Sequence, residues 1–139
     1  MSYTTFGYEV SDGIATVRLN DPDRLNALTF EAYAELERFF AETAHEAAVK
    51  IVVLTGSGRG FCSGGSVNEI IGKLTQMNGA ELRRFTQTTC NVVKNMRSLK
   101  KPIIAAVNGI AAGAPADFVL AGDPRTYDDL VTPEGLAEI

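Results

Sequence analysis

The sequence predicts an α/β layered fold. Three observations carry that reading. Short β-branched runs alternate along the chain with segments whose apolar residues recur at helical spacing. Strands separated by helices imply parallel pairing through right-handed crossovers. Two glycine-containing loops each follow a strand and precede a helix start. With 139 residues, 45% of them hydrophobic and 22% charged, the chain is sized and composed for one domain with one core rather than for disorder.

Residues 3–10 and 14–19 read as two short strands around the turn Ser11-Asp12-Gly13. The second alternates, with Ala15, Val17 and Leu19 on one face. Asp21-Pro22-Asp23 ends it as a turn. Thr29 is an N-cap for a helix to about His45, with Phe30, Tyr33, Leu36, Phe39 and Phe40 at helical spacing. Ile51-Val52-Val53-Leu54-Thr55 is the kind of run buried on both faces of a parallel sheet. Residues 56–60 read as a loop, and after Phe61-Cys62-Ser63-Gly64-Gly65 a new helix is expected, with Ser66 and Glu69 at capping-box spacing. A longer helix comes next, capped by Asn78 with Glu81. Leu82, Phe85, Thr89, Val92, Val93, Met96 and Leu99 form its stripe, and Lys100-Lys101-Pro102 stops it. Residues 103–107 read as another buried strand and Asn108-Gly109 as a turn, before Gly113 leads toward a helix at Ala114. Residues 1–122 form the patterned core. Residues 123–139 are acidic and weakly patterned, and read as an atypical tail, either a short helix, a disordered end or the product of a truncated frame.

Charge and composition exclude several classes. Thirteen Lys and Arg against seventeen Asp and Glu give a net charge of −4, which argues against non-specific nucleic-acid binding. No apolar run reaches the roughly 18 residues of a membrane span. The first ten residues lack a secretory pattern, and Cys62 and Cys90 do not make a disulfide framework, so a reduced cytoplasmic setting is expected. The single histidine, His45, excludes multi-histidine metal sites. Neither glycine loop has the phosphate-loop or dinucleotide-binding spacing. Cys62 reads as a packing residue, Cys90 as packed or partly exposed on the long helix, and His45 as a solvated residue.

The glycine loops carry the chemistry. They are Arg59-Gly60-Phe61-Cys62-Ser63-Gly64-Gly65-Ser66 and Asn108-Gly109-Ile110-Ala111-Ala112-Gly113-Ala114-Pro115. Each is a tight strand-to-helix turn or, if the two converge, half of an oxyanion hole built from backbone N–H groups. Together with Arg24-Leu25-Asn26-Ala27-Leu28 and the run from Pro102 to Gly109, they resemble the crotonase, or enoyl-CoA hydratase/isomerase, superfamily. The likeness runs from about residue 6 to 114.

That resemblance implies a ββα spiral core, here without its C-terminal part, and an acyl-CoA thioester as substrate, with coenzyme A part of the substrate and no separate cofactor. It assigns the oxyanion donors to the N–H groups of Gly65 and Ala114. It places substrate and CoA contacts at Arg24, Ala27, Leu28, Arg59, Ser63, Gly65, Ser66 and Val67, with the two arginines for phosphates. Ser66 stands where many relatives carry aspartate. Hydratases of the family use two glutamates. Aligned without gaps, the first falls on Asp117. After a short deletion beyond Ala114, Asp117 becomes structural. Glu134, after Pro133, resembles the second, or else opens an exposed helix. The family forms trimers, and a half-length core is expected to leave apolar surface along residues 82–99 and to associate. Two functions are then open: an enoyl-CoA hydratase/isomerase-type enzyme, or a non-catalytic fragment that keeps the core.

Overall fold

The computed structural model describes residues 2–113. β1 (Phe6–Ser11) and β2 (Ile14–Leu19) form a hairpin whose two turn residues, Asp12 and Gly13, both have positive φ, 52° and 81°. That is the geometry a tight two-residue connection requires between right-twisted strands. A 3-10 turn at Pro22–Arg24 leads to α1 (Phe30–Thr43), capped as expected by Thr29, whose Oγ1 accepts from the Ala32 N–H at 3.1 Å. α1 ends two residues before the expected His45. There the Lys101 ammonium donates to the Thr43 and Glu46 carbonyls, both at 2.6 Å, and closes the helix end.

β3 (Ile51–Gly56) and β4 (Gly60–Cys62) come next, so the expected loop of residues 56–60 shrinks to its centre. A π-helical turn (Val67–Ile71) runs into the short α2 (Gly72–Leu74). α3 (Gly79–Ser98) opens on a complete capping box between Asn78 and Glu81. The Ser66–Glu69 pair makes only half of such a box. Ser66 Oγ accepts from the Glu69 N–H, but the Ser66 N–H is taken by the Leu28 carbonyl and the Glu69 carboxylate by Arg24. β5 (Ile103–Ala106) and β6 (Ile110–Ala111) complete the described chain.

The order is a repeat of two strands and a helix: β1-β2-α1, β3-β4-α3, then β5-β6. One sheet has the strand order β1-β2-β3-β5, antiparallel at the first pair and parallel thereafter. The small sheet pairs β4 with β6 in parallel. In the large sheet Ala15 lies beside Val52 and Val52 beside Ile103, so one face collects Phe6, Val17, Leu19 and Leu54 with them. That face packs with Leu36, Phe39 and Phe40 of α1 and Val92 and Met96 of α3.

The opposite face corrects two expectations. In β3, Ile51 and Val53 are only half-buried, and in β5 Ile104 is 50% exposed. The sheet is therefore covered on one side, not two, among the described residues. The α3 stripe is also not left bare. Val92 and Met96 are buried, Phe85, Val93 and Leu99 pack on the core, and Asn91 and Asn95 hydrogen-bond to Glu37 of α1. Of the stripe only Leu82 stays exposed, and the other exposed large apolar residues among those described lie elsewhere, at Val10, Ile14, Val67, Ile71, Ile104, Val107 and Ile110.

Candidate functional site

The site is built from three lengths of backbone laid side by side. Residues 24–28 leave the 3-10 turn through Leu25 and Asn26, both left-handed at φ 51° and 55°. They then run along the first glycine loop. The Ser63 N–H donates to the Leu25 carbonyl at 2.9 Å, Leu28 N–H to Gly64 at 2.8 Å, and Ser66 N–H to Leu28 at 2.8 Å. On the other side of the same loop β4 pairs with β6, and the Ala112 N–H donates to the Cys62 carbonyl at 3.0 Å.

These bonds fix the direction of the Gly65 N–H. The peptide linking Gly64 to Gly65 is trans, so its C=O and N–H point opposite ways. The C=O points at Leu28. The N–H therefore points away from Leu28. Gly64 has φ 107°, which a side chain rarely allows, and a Cβ there would stand 3.3 Å from the Ala112 carbonyl. A Cβ on Gly113 would lie 3.6 Å from Gly64 Cα. The two glycine loops thus meet backbone to backbone. Ala114, Asp117 and Glu134 lie outside the described residues.

The pattern after Gly65 predicts a helix whose dipole helps hold an anion. A helical segment does start there, as a π turn that continues without a break into the short α2, so the expected helix is present over residues 67–74 in irregular form.

The remaining site residues divide. Arg24, Ala27 and Leu28 line a groove of about 350 Å³ shared with Thr29, Glu31 and Glu69. Leu28 is 1% exposed, so its side chain belongs to the core and its backbone to the loop. Arg24 donates through Nε to Asp21 at 2.7 Å and through Nη1 to Glu69 at 3.0 Å. Hydrogen bonds to Glu69 and Asp21 hold its proton more tightly than usual. Arg59 is exposed and makes no ion pair among the described residues, so it carries the uncommitted cation. Ser63 is exposed, with Oγ donating to the Arg24 carbonyl at 3.3 Å. Ser66 is buried as a cap, and Val67 is 67% exposed. Cys62 is buried, and burial pushes its thiol up to about 11, which agrees with a packing role rather than a nucleophile.

Asn26 and Asn108 stand inside the glycine-loop and Arg24–Leu28 motifs, yet neither is marked as functional by its sequence neighbours. Their side-chain amides bind the turn at residues 57–60 from two sides. Nothing local signals this, because each partner is more than thirty positions away, except for Asp21, five positions before Asn26.

A repeating β-β-α order, a large sheet beside a small one, and two abutting glycine loops define a protein of the crotonase fold class. The chain belongs to the enoyl-CoA hydratase/isomerase family, whose profile matches residues 9–131. It is 36% identical over 118 residues to the 1,2-epoxyphenylacetyl-CoA isomerase of Escherichia coli K12, covering 82% of this chain and 44% of that one. It is 34% identical over 113 residues to the short-chain-enoyl-CoA hydratase of Clostridium acetobutylicum, covering 81% and 42%. Among solved structures, a Streptomyces coelicolor A3(2) protein named for enoyl-CoA hydratase matches with a TM-score of 0.85 at 50% identity, over 88% of this chain and 44% of that one. The chain therefore spans less than half the length of these relatives. No helix among the described residues is long and apolar enough to cross a membrane.

Proposed function

We propose that this chain supplies the thioester-polarising part of an acyl-CoA site, in an enzyme of the enoyl-CoA hydratase/isomerase type. The observation that supports the reading is the close approach of the two glycine loops at Gly64, Ala112 and Gly113, beside a Gly65 N–H that points away from Leu28. An N–H on the residue after Gly113, that of Ala114, would be the second donor. Two such donors on one carbonyl oxygen stabilise the enolate that forms when a nucleophile adds at C3, and each is worth roughly 3 kcal/mol in a transition state.

Water addition needs two further transfers. A base takes the proton of water as its oxygen bonds to C3, and an acid then delivers a proton to C2 as the enolate collapses to the thioester. Asp117 and Glu134 are the carboxylates assigned to those steps. Arg59 is the first choice for a phosphate of coenzyme A, because Arg24 must leave two carboxylates to reach one. Coenzyme A enters as part of the substrate. Assembly into a homo-oligomer and a cytoplasmic setting belong to the same proposal.

The competing reading is a non-catalytic core with at most weak CoA affinity. Hydration of crotonyl-CoA, followed by loss of the enoyl-thioester absorbance, separates the two. Turnover is expected to be far below that of a full-length relative and, if the ungapped alignment holds, to fall further in Asp117→Asn, since general acid–base groups supply about 10²–10⁴-fold in rate. Turnover that is unchanged in the variant removes Asp117 from the mechanism. Undetectable turnover, with no binding of crotonyl-CoA, leaves the non-catalytic core as the function.

A further inference from the structure

We propose that Asn26 and Asn108 are positioning residues that act as a pair, clamping the turn at residues 57–60 so that the two glycine loops keep their spacing. The functional consequence of the clamp rests on the oxyanion role proposed for Gly65.

Asn26 is 2% exposed and left-handed. Its Oδ1 accepts from the Asp21 N–H at 2.9 Å, and its Nδ2 donates to the carbonyls of Ser57 and Gly60, both at 2.9 Å. Asn108 repeats the pattern from the other side. Its Oδ1 accepts from the Gly56 N–H at 3.1 Å, and its Nδ2 donates to Gly58 at 2.9 Å and Gly60 at 3.1 Å. The Gly60 carbonyl thus receives one N–H from each asparagine. Only a side-chain amide offers two donors and an acceptor in one small plane. Aspartate has the same shape, but would set a charged oxygen against two carbonyls.

The turn has no slack. A Cβ on Gly56 would overlap the Gly60 carbonyl, and one on Gly109 would overlap the Arg59 carbonyl. Displacement of the turn must therefore pass along the chain. Two residues after Asn26 stands Leu28, whose N–H holds the Gly64 carbonyl and so aims the Gly65 N–H. Two residues after Asn108 begins β6, and just beyond that strand the Ala112 N–H reaches Cys62. Every hydrogen bond of the two amides goes to backbone, so both act through it.

Hydrogen exchange in the whole chain tests the clamp without any ligand. Asn26→Asp is expected to speed exchange at the Ala112 amide, and Asn108→Asp at the Leu28 amide, each by about tenfold or more through local opening. These effects lie on the far side of the turn from each substitution. Loosening confined to the substituted side overturns the clamp. Should an aspartate unfold the chain, Asn26→Gly and Asn108→Ser remove the amide without adding a charge, and the same cross-effects are required of them.

Ligand binding then tests the consequence. The probes are crotonyl-CoA and butyl-CoA thioether, which lacks the carbonyl oxygen. The wild type is expected to prefer the thioester, and each variant to lose about tenfold of that preference while holding the thioether as before. Cross-loosening with an unchanged preference overturns the positioning role. A wild type with no preference overturns the oxyanion reading itself, while the exchange data still judge the clamp.

Discussion

Cys62 and Cys90 show how environment divides two identical side chains. Cys62 is buried, its Sγ donates to the Asn26 carbonyl at 2.9 Å, and burial holds the thiol near 11. Cys90 is exposed on α3. Since the thiolate is the reactive form, iodoacetamide at pH 8 should label Cys90 alone in the native protein and both residues in denaturant. Intact mass reads this directly, and a second adduct before unfolding would contradict the burial of Cys62. At this scale the sequence is readable where a residue acts on its neighbours. Thr29 and Asn78 cap the helices that they precede. It is unreadable where partners are distant, as for Arg24. A guanidinium beside a glycine loop suggests a phosphate contact, yet Glu69, 45 positions on, and Asp21 occupy it.

Among elements, the N-terminal turn is attached to α1 through Glu31, Arg38 and Glu42 and most densely through Glu35. Glu35 accepts from the Thr4 and Thr5 N–H groups at 2.9 Å and from the Thr5 hydroxyl at 2.6 Å. Partial burial disfavours its charge, but these hydrogen bonds outweigh that and hold its carboxyl below the ordinary 4.5. A depressed folded value means the stabilisation is present above about pH 4.5 and is lost as pH falls through the folded value. Glu35→Gln should therefore lower stability at pH 7 by about 1 kcal/mol, after allowing for partial exposure, and less at pH 3. Thermal melts at the two pH values test this, and an equal loss at both would show that the charge is irrelevant. The helices and long strands are legible because each carries enough residues to display a period. β4 and β6, with three and two residues, cannot display one. The π turn after Ser66 is hidden for another reason: the Ser66 N–H and the Glu69 carboxylate that would complete an ordinary cap are both claimed by residues 24–28.

For the molecule as a whole, the predicted fold class holds, while the covered surfaces are not those expected. α1 shields the α3 stripe except at Leu82, and the most exposed large apolar residues among those described are Ile104, Val107 and Ile110, at 50%, 46% and 60%, with Val67 and Ile71. Burial on one face of a sheet cannot be distinguished from burial on two by a β-branched run alone. Apolar exposure of this kind favours association, so sedimentation should find species larger than one chain, and Ile104→Lys with Ile110→Lys should shift them toward monomer. A wild-type monomer at every concentration would oppose this. The pairing of β4 with β6 also bears on the order in which the chain assembles. The β1–β2 hairpin joins neighbours and can form as soon as both strands exist. The bonds from Asn108 to residues 56–60 close a loop of about 50 residues, a far greater loss of chain entropy before any contact repays it. During synthesis, the meeting of the glycine loops must wait until residue 112 has emerged, making that corner the last of the described residues to be assembled.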